Sequence, residues 1–183
     1  MDLECVVADI ADVLKIIDSS RVPFKAFQAG VGPYGEPQLV KLIAEHLKRL
    51  PQYALGVKTM RTPDLLLVGH WALEIKIARP FGDNGKLAEN WSTNLLHPYS
   101  GNTSLLGDCI KLLSHPCQEH KAVLAIGYEH DPPKVSLEPL TRSFELIATD
   151  VLSIRLGKRV SEVRTNLIHP VHERLVVMAW PVG

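Results

Sequence analysis

The stretch TPDLLLVGHWALEIKIA, residues 62–78, decides how this chain is read. Two apolar runs, 64–69 and 72–78, have strand composition, and the Gly69-His70 pair between them suits a tight hairpin. Side chains alternate faces along a strand, so Glu74 and Lys76 share one face while Leu73, Ile75 and Ile77 share the other. Asp64 follows Pro63 at the head of the first run, and in a hairpin it falls near Glu74 or Lys76. Two carboxylates held close repel and destabilise the fold unless a cation joins them. Mg²⁺ is a hard cation that takes carboxylate oxygens and keeps several waters. A neighbouring lysine can orient a water or neutralise charge developing on a phosphate. The plainer alternative is a Glu74–Lys76 ion pair on a solvated face, with Asp64 capping a turn.

The flanking sequence supplies the remaining elements. Residues 2–18 carry Val6, Ile10, Val13, Leu14 and Ile17 at helical spacing. A Gly/Pro-rich loop around 29–37 precedes a second helix over 36–49, with Leu39, Leu42, Ile43, Leu47 and Leu50 on its apolar face. Pro37 fits its first turn and Pro51 ends it. A strand is expected over 53–59, before the hairpin. Residues 79–103 read as a long irregular segment that is either functional or hides a short helix. A helix over 103–114, a buried strand over 121–129, a helix over 139–154 and a strand over 173–182 complete the pattern. The expected class is α/β (α+β), a central mixed sheet flanked by helices in one domain spanning 1–183.

With those elements in place, Pro63-Asp64 followed by Glu74-Ile75-Lys76 resembles the PD-(D/E)xK nuclease superfamily, which includes restriction endonucleases and Holliday junction resolvases. The family core runs helix, three antiparallel strands, helix, strand, the order read here over about 35–129. YGEPQLVKLIAEHL loosely resembles the resolvase-type opening of the first core helix, with Glu36 at its acidic position. The resemblance implies a restriction endonuclease-like core and a Mg²⁺-dependent nuclease, with Mn²⁺ able to substitute. Its substrate would be nucleic acid, most often DNA, cut by water activated at the metal. It implies that Asp64, Glu74, the Ile75 carbonyl and Glu36 hold the metal and that Lys76 positions the attacking water. Glu45, about two and a half turns further along the helix, is the alternative acid, but it faces nearly the opposite way. Family members often pair as homodimers so that two sites meet two strands. The alternative from the same resemblance is a catalytically inactive nuclease-fold module that binds nucleic acid or a protein partner. The helix 2–18 and the helix–strand segment 139–182 lie outside the resemblance.

Composition narrows the surroundings. Hydrophobic residues make up 46% and charged residues 22%, ordinary for a globular chain, and the formal net charge of +0 offers no overall basic field. Candidate nucleic-acid contacts are therefore local: Arg79, Lys86 and Trp91 after the hairpin, in a segment that also holds Tyr99 and Asn102; Lys111 on the following helix; and Arg164. Arg164 belongs to the most basic part of the chain, with Arg155, Lys158, Arg159 and Arg174, which suits phosphate contact, a dimer contact or a solvated surface. Cys5, Cys109 and Cys117 are too few and scattered for a disulfide framework. His115, Cys117 and His120 lack regular zinc spacing. No phosphate-binding G-x-x-x-x-G-K-[ST] loop occurs. No basic-then-apolar leader and no apolar run of ~20 residues is present, so a cytoplasmic protein without a membrane span is expected.

Overall fold

The computed structural model describes residues 1–98 and 104–183. Tyr99, Asn102 and the expected helix start at Thr103 lie outside the described residues. Helices α1 (Leu3–Ser19) and α2 (Glu36–Leu47) precede strands β1 (Val57–Thr59), β2 (Leu65–Leu67) and β3 (Trp71–Ala78). A short helix α3 (Thr93–Leu96) and α4 (Leu105–Ser114) lead to β4 (His120–Glu129). Helix α5 (Glu138–Leu146) and strands β5 (Val160–Arg164) and β6 (Arg174–Pro181) follow. The six strands form one mixed sheet in the order β1-β2-β3-β4-β6-β5. Among the described strands only β3 and β4 run parallel, with α3 and α4 between them in sequence.

Helices cover both faces of the sheet. On one face α1 and α2 pack against Leu65, Leu67, Leu73, Ile75, Ile77, Leu124 and Ile126. On the other, α3, α4 and α5 pack against Ala72, Ala78, Val123, Ala125, Met178 and Trp180. Strands buried on both faces lose the polar alternation of a half-exposed sheet, and every residue of β3 is buried. The helical spacing read in α1 and α2 corresponds to their buried stripes.

Several boundaries differ from the sequence reading for local reasons. The first strand spans only Val57–Thr59, because Pro51–Tyr53 forms a 3₁₀ turn after α2. The β2–β3 connection uses residues 68–70 rather than a two-residue turn. Gly69 takes φ +75° there, a conformation that costs glycine little. α5 ends at Leu146 and opens into a π turn, Ile147–Val151, instead of continuing to 154. β5 has no clear apolar alternation in its sequence; it is recruited by pairing with β6 and by packing under α1.

The β2–β3 ladder stops at Leu65↔Leu73. Two pairs further, beyond Asp64 and Glu74, Pro63 would face Ile75, and proline has no N–H to offer a strand partner. The second half of β3 is therefore unpaired on its β2 side. A second device pins the loop before α2: buried Asp18 accepts from Val31 N–H (3.0 Å) and Ile168 N–H (2.9 Å). Below that loop His169 and His172 stack at 4.5 Å, both buried. A Cβ on Gly32 would fall 2.2 Å from His172 Nδ1, so only glycine permits this approach. Among the described residues, no helix is long and apolar enough to cross a membrane.

Burial, opposed by the Phe81 carbonyl 2.9 Å from Nε2, holds the His172 imidazole down at about 4. The unfolded chain binds the proton more readily, so stability is complete above pH 6.5 and falls as pH drops from there toward 4. Urea unfolding at pH 7 and pH 5 is expected to show that His172→Gln removes roughly 2 kcal/mol of the acid-induced loss seen in the parent. An identical pH slope in both proteins would show that His172 is not the group responsible.

Candidate functional site

The site assembles where β3 loses its strand partner. Because β2 has ended, the Ile75 N–H donates to the Asp64 carboxylate at 2.9 Å in place of a ladder bond. Alternation along β3 aims the Ile75 carbonyl at the same open edge, where Lys76 Nζ donates to it at 3.1 Å. Beyond it the Ile77 carbonyl accepts from Asn94 Nδ2 of α3 at 3.1 Å. The open edge is thus satisfied by side chains rather than by a strand.

Glu74 and Lys76 face α4, and they do not pair with each other on a solvated surface. Glu74 is fully buried and Lys76 is 7% exposed. Lys76 Nζ lies 2.9 Å from Glu36 Oε1 at the first turn of α2 and 2.9 Å from Asp108 Oδ2 on α4. Lys111, one turn after Asp108, places Nζ 2.9 Å from Asp108 Oδ1 and 3.0 Å from Glu74 Oε2. The result is an alternating cluster of four acids, Glu36, Asp64, Glu74 and Asp108, around two ammonium groups. Negative charges exceed positive by two when all are ionised. Glu74 Oε2 meets Lys111, while Glu74 Oε1 has no hydrogen-bond partner among the described residues.

The charge imbalance acts on the individual groups. Burial first, then Asp64 and Asp108, push the Glu74 carboxyl up to about 8, with Lys111 pulling the other way. Burial also raises Glu36; Lys76 opposes that rise, while Asp64 and Asp108 add to it. For Lys76 burial disfavours the charge, but Asp108 and Glu36 outweigh it and hold the ammonium above its ordinary range. Lys111 is raised in the same way: hydrogen bonding to Asp108 and Glu74 outweighs its burial.

A cleft of about 330 Å³ opens onto this cluster between α2 and the 59–64 segment. Glu36, Lys41, Thr59 and Asp64 line it. The oxygen donors gathered here, carboxylates and the Ile75 carbonyl, suit a hard divalent cation rather than zinc. The fully buried Glu74 carboxylate, with Oε1 free of hydrogen bonds among the described residues, fits such an ion. Among the described residues no three acidic, histidine or cysteine side chains already stand at metal-binding distance, because the two lysines lie between the acids.

The structure brings Glu36, Asp64, Glu74, Ile75 and Lys76 together. Glu45 is exposed on the far side of α2. The proposed nucleic-acid contacts fare differently. Lys111 belongs to the acid cluster itself. Arg79 is half-buried and donates to the carbonyls of Gly32 (2.8 Å) and Tyr34 (3.2 Å), pinning the loop before Glu36. Lys86 is exposed on a turn, and Trp91 packs half-buried against the α4-side core. Arg164 sits on the far edge strand, ion-paired with Asp12 and Glu162 at 2.8 Å, three strands from β3. Arg159 pairs with Glu138 and Glu145, and Arg174 with Glu129, so much of the basic tail is neutralised within the fold. Asp108 was missed by sequence reasoning. An aspartate among Leu105, Leu106, Cys109 and Leu112, three residues before Lys111, is the signal that could have found it.

Comparisons with protein-family models, with curated proteins and with solved structures give no match for this chain.

Removing one partner of a buried charge cluster leaves the others uncompensated. Asp108→Ala is expected to destabilise the protein by about 3 kcal/mol in urea unfolding at pH 7. Arg164→Ala, which breaks a half-exposed pair, should cost under ~1 kcal/mol. Equal costs for the two variants would contradict a buried cluster centred on Asp108.

Proposed function

We propose that this chain is a divalent-metal-dependent nuclease of the PD-(D/E)xK type that hydrolyses phosphodiester bonds, with DNA as substrate. The observation that carries the reading is the fully buried Glu74, one oxygen on Lys111 and the other without a hydrogen bond among the described residues, beside Asp64 and the Ile75 carbonyl at an open strand edge. The element order α2, β1, β2, β3, α4, β4, with β1–β3 antiparallel, supports it.

Asp64, Glu74 and the Ile75 carbonyl would hold Mg²⁺ or Mn²⁺, with Glu36 reaching it directly or through water. Bound there, the ion supplies Lewis acidity to a phosphoryl oxygen and acidifies a water. The chain's own groups do the rest. Glu36, Asp108 and the Ile75 carbonyl engage all three donors of the Lys76 ammonium, so Lys76 would exchange one of these partners for the water at the metal. There it orients the water that adds to phosphorus and offsets the charge that develops as the P–O bond to the leaving sugar oxygen breaks. Asp108 is a positioning residue: it fixes both lysines and touches no reacting atom. Lys41 at the cleft and the positive end of the α2 dipole attract the phosphate backbone. A second reading, a nuclease-fold module that binds nucleic acid without cutting it, is favoured by the engagement of both lysines with the acids.

Incubating labelled single- and double-stranded DNA with Mg²⁺ or Mn²⁺, and separately with EDTA, tests the proposal. Metal-dependent cleavage is expected, with Asp64→Ala inactive and Lys76→Ala slowed by at least ~100-fold. Mn²⁺ should raise the Tm of the parent but not of Glu74→Gln. Binding without cleavage selects the second reading, and cleavage unchanged in Asp64→Ala excludes this site.

A further inference from the structure

Beside the catalytic cleft lies a separate cavity of about 230 Å³. Phe27, Pro33, Arg79, Phe81, Asp83 and His172 line it. It adjoins the proposed site through the chain itself. Arg79 comes three residues after Lys76, roughly 10 Å along an extended strand, and Pro33 comes three residues before Glu36. The walls are braced. The Phe81 ring meets the His130 ring edge-on at 4.7 Å, and the Phe81 carbonyl lies 2.9 Å from His172 Nε2. The segment after Phe81 folds back through an Ala88 N–H bond to the Pro80 carbonyl and a Gly82 N–H bond to the Lys86 carbonyl. Arg79 directs one N–H from each terminal nitrogen to the loop carbonyls of Gly32 and Tyr34, so it builds the wall. Phe27 is 40% exposed, a large apolar ring left in the open at the cavity. The carboxylate of Asp83 has no hydrogen bond or ion pair among the described residues.

Two aromatic rings and one free carboxylate describe a ligand that is flat, apolar on its faces and rich in donors on one edge. An ionised carboxylate offers two acceptors side by side and no donor. Among the DNA bases only guanine presents two adjacent donors, N1–H and the N2 amine, on its Watson–Crick edge. Adenine and cytosine place an acceptor next to their amine, and thymine sets carbonyl oxygens on both sides of its single N–H. Unpaired bases are bound by stacking on aromatic side chains together with hydrogen bonds to that edge.

We infer that this pocket holds an unpaired guanine, in contact with Phe27 and Phe81 and donating to Asp83, in the strand whose backbone enters the catalytic cleft. The inference rests on the nuclease reading for its biological sense. It adds a substrate class: strands with an unpaired guanine near the scissile phosphate, as in single-stranded DNA or an extruded base.

Binding of dGMP, dAMP, dCMP and dTMP to the full chain in EDTA, followed by calorimetry or NMR shift titration, reads the pocket independently of metal and cleavage. dGMP is expected to bind at least about tenfold more tightly than the other three. Asp83→Asn, in a partly exposed turn, should bring dGMP within about threefold of the others, with the Tm of the parent retained. Phe81→Ala should weaken all four. Equal binding of the four nucleotides, or a guanine preference unchanged in Asp83→Asn, would overturn the inference. Metal-dependent cleavage without guanine preference defeats the pocket and leaves the nuclease reading standing. Guanine binding without metal-dependent cleavage supports the pocket and defeats the nuclease reading.

Discussion

The hydrogen bond from the Ile75 N–H to the Asp64 carboxylate is the interaction on which the site depends. It exists because Pro63 cannot continue the β2–β3 ladder and the last regular pair is Leu65↔Leu73. An orphaned backbone donor inside a protein costs free energy comparable to a lost hydrogen bond. A carboxylate is therefore drawn to the edge of the sheet at the position where a strand would have been. The same break leaves the Ile75 carbonyl on the open edge, where Lys76 donates to it, and gives Lys76 room to reach Glu36 across the edge. Pro63 and Asp64 thus act as one structural device, with the first opening the edge and the second closing it with charge.

Charge balance imposes the second constraint. Glu74 lies on the face that α4 covers, with none of its surface in solvent. An ionised group there requires partners, since desolvation exceeds what a single ion pair returns. The fold answers with Asp108 and Lys111 one turn apart on α4 and with Lys76 opposite. The answer is incomplete, because four acids face two ammonium groups and Glu74 Oε1 is left without a hydrogen bond among the described residues. A core built for stability alone would place an apolar side chain at Glu74. An excess of acids around Glu74, with Glu36 and Asp64 lining an open cleft, is compatible with the proposed divalent cation.

Much of this was legible in the sequence. The period-two pattern of residues 71–78 set Glu74 and Lys76 on one face, and the helical spacing in α1 and α2 marked their buried sides. Helix periodicity sends Glu36 and Glu45 to nearly opposite sides, so only one can serve the site, and Glu36 could be preferred for its place at the start of the helix. What escaped was tertiary. A strand such as Val160–Arg164 is made by its neighbours, since its own letters alternate too weakly to announce it. Asp108 reads as one polar letter in an apolar helix, and its meaning appears only when β3 supplies Lys76. Arg164 and Arg174 look like free cations in the sequence, yet their partners Asp12 and Glu129 lie 152 and 45 residues away.

Anomalous diffraction from crystals soaked in Mn²⁺ tests the central claim most directly. The account predicts a single strong anomalous peak bounded by Asp64, Glu74 and the Ile75 carbonyl, with Lys76 or Lys111 withdrawn from at least one of its present carboxylate partners. Manganese bound elsewhere on the molecule, with Lys111 still seated between Glu74 and Asp108, would contradict it.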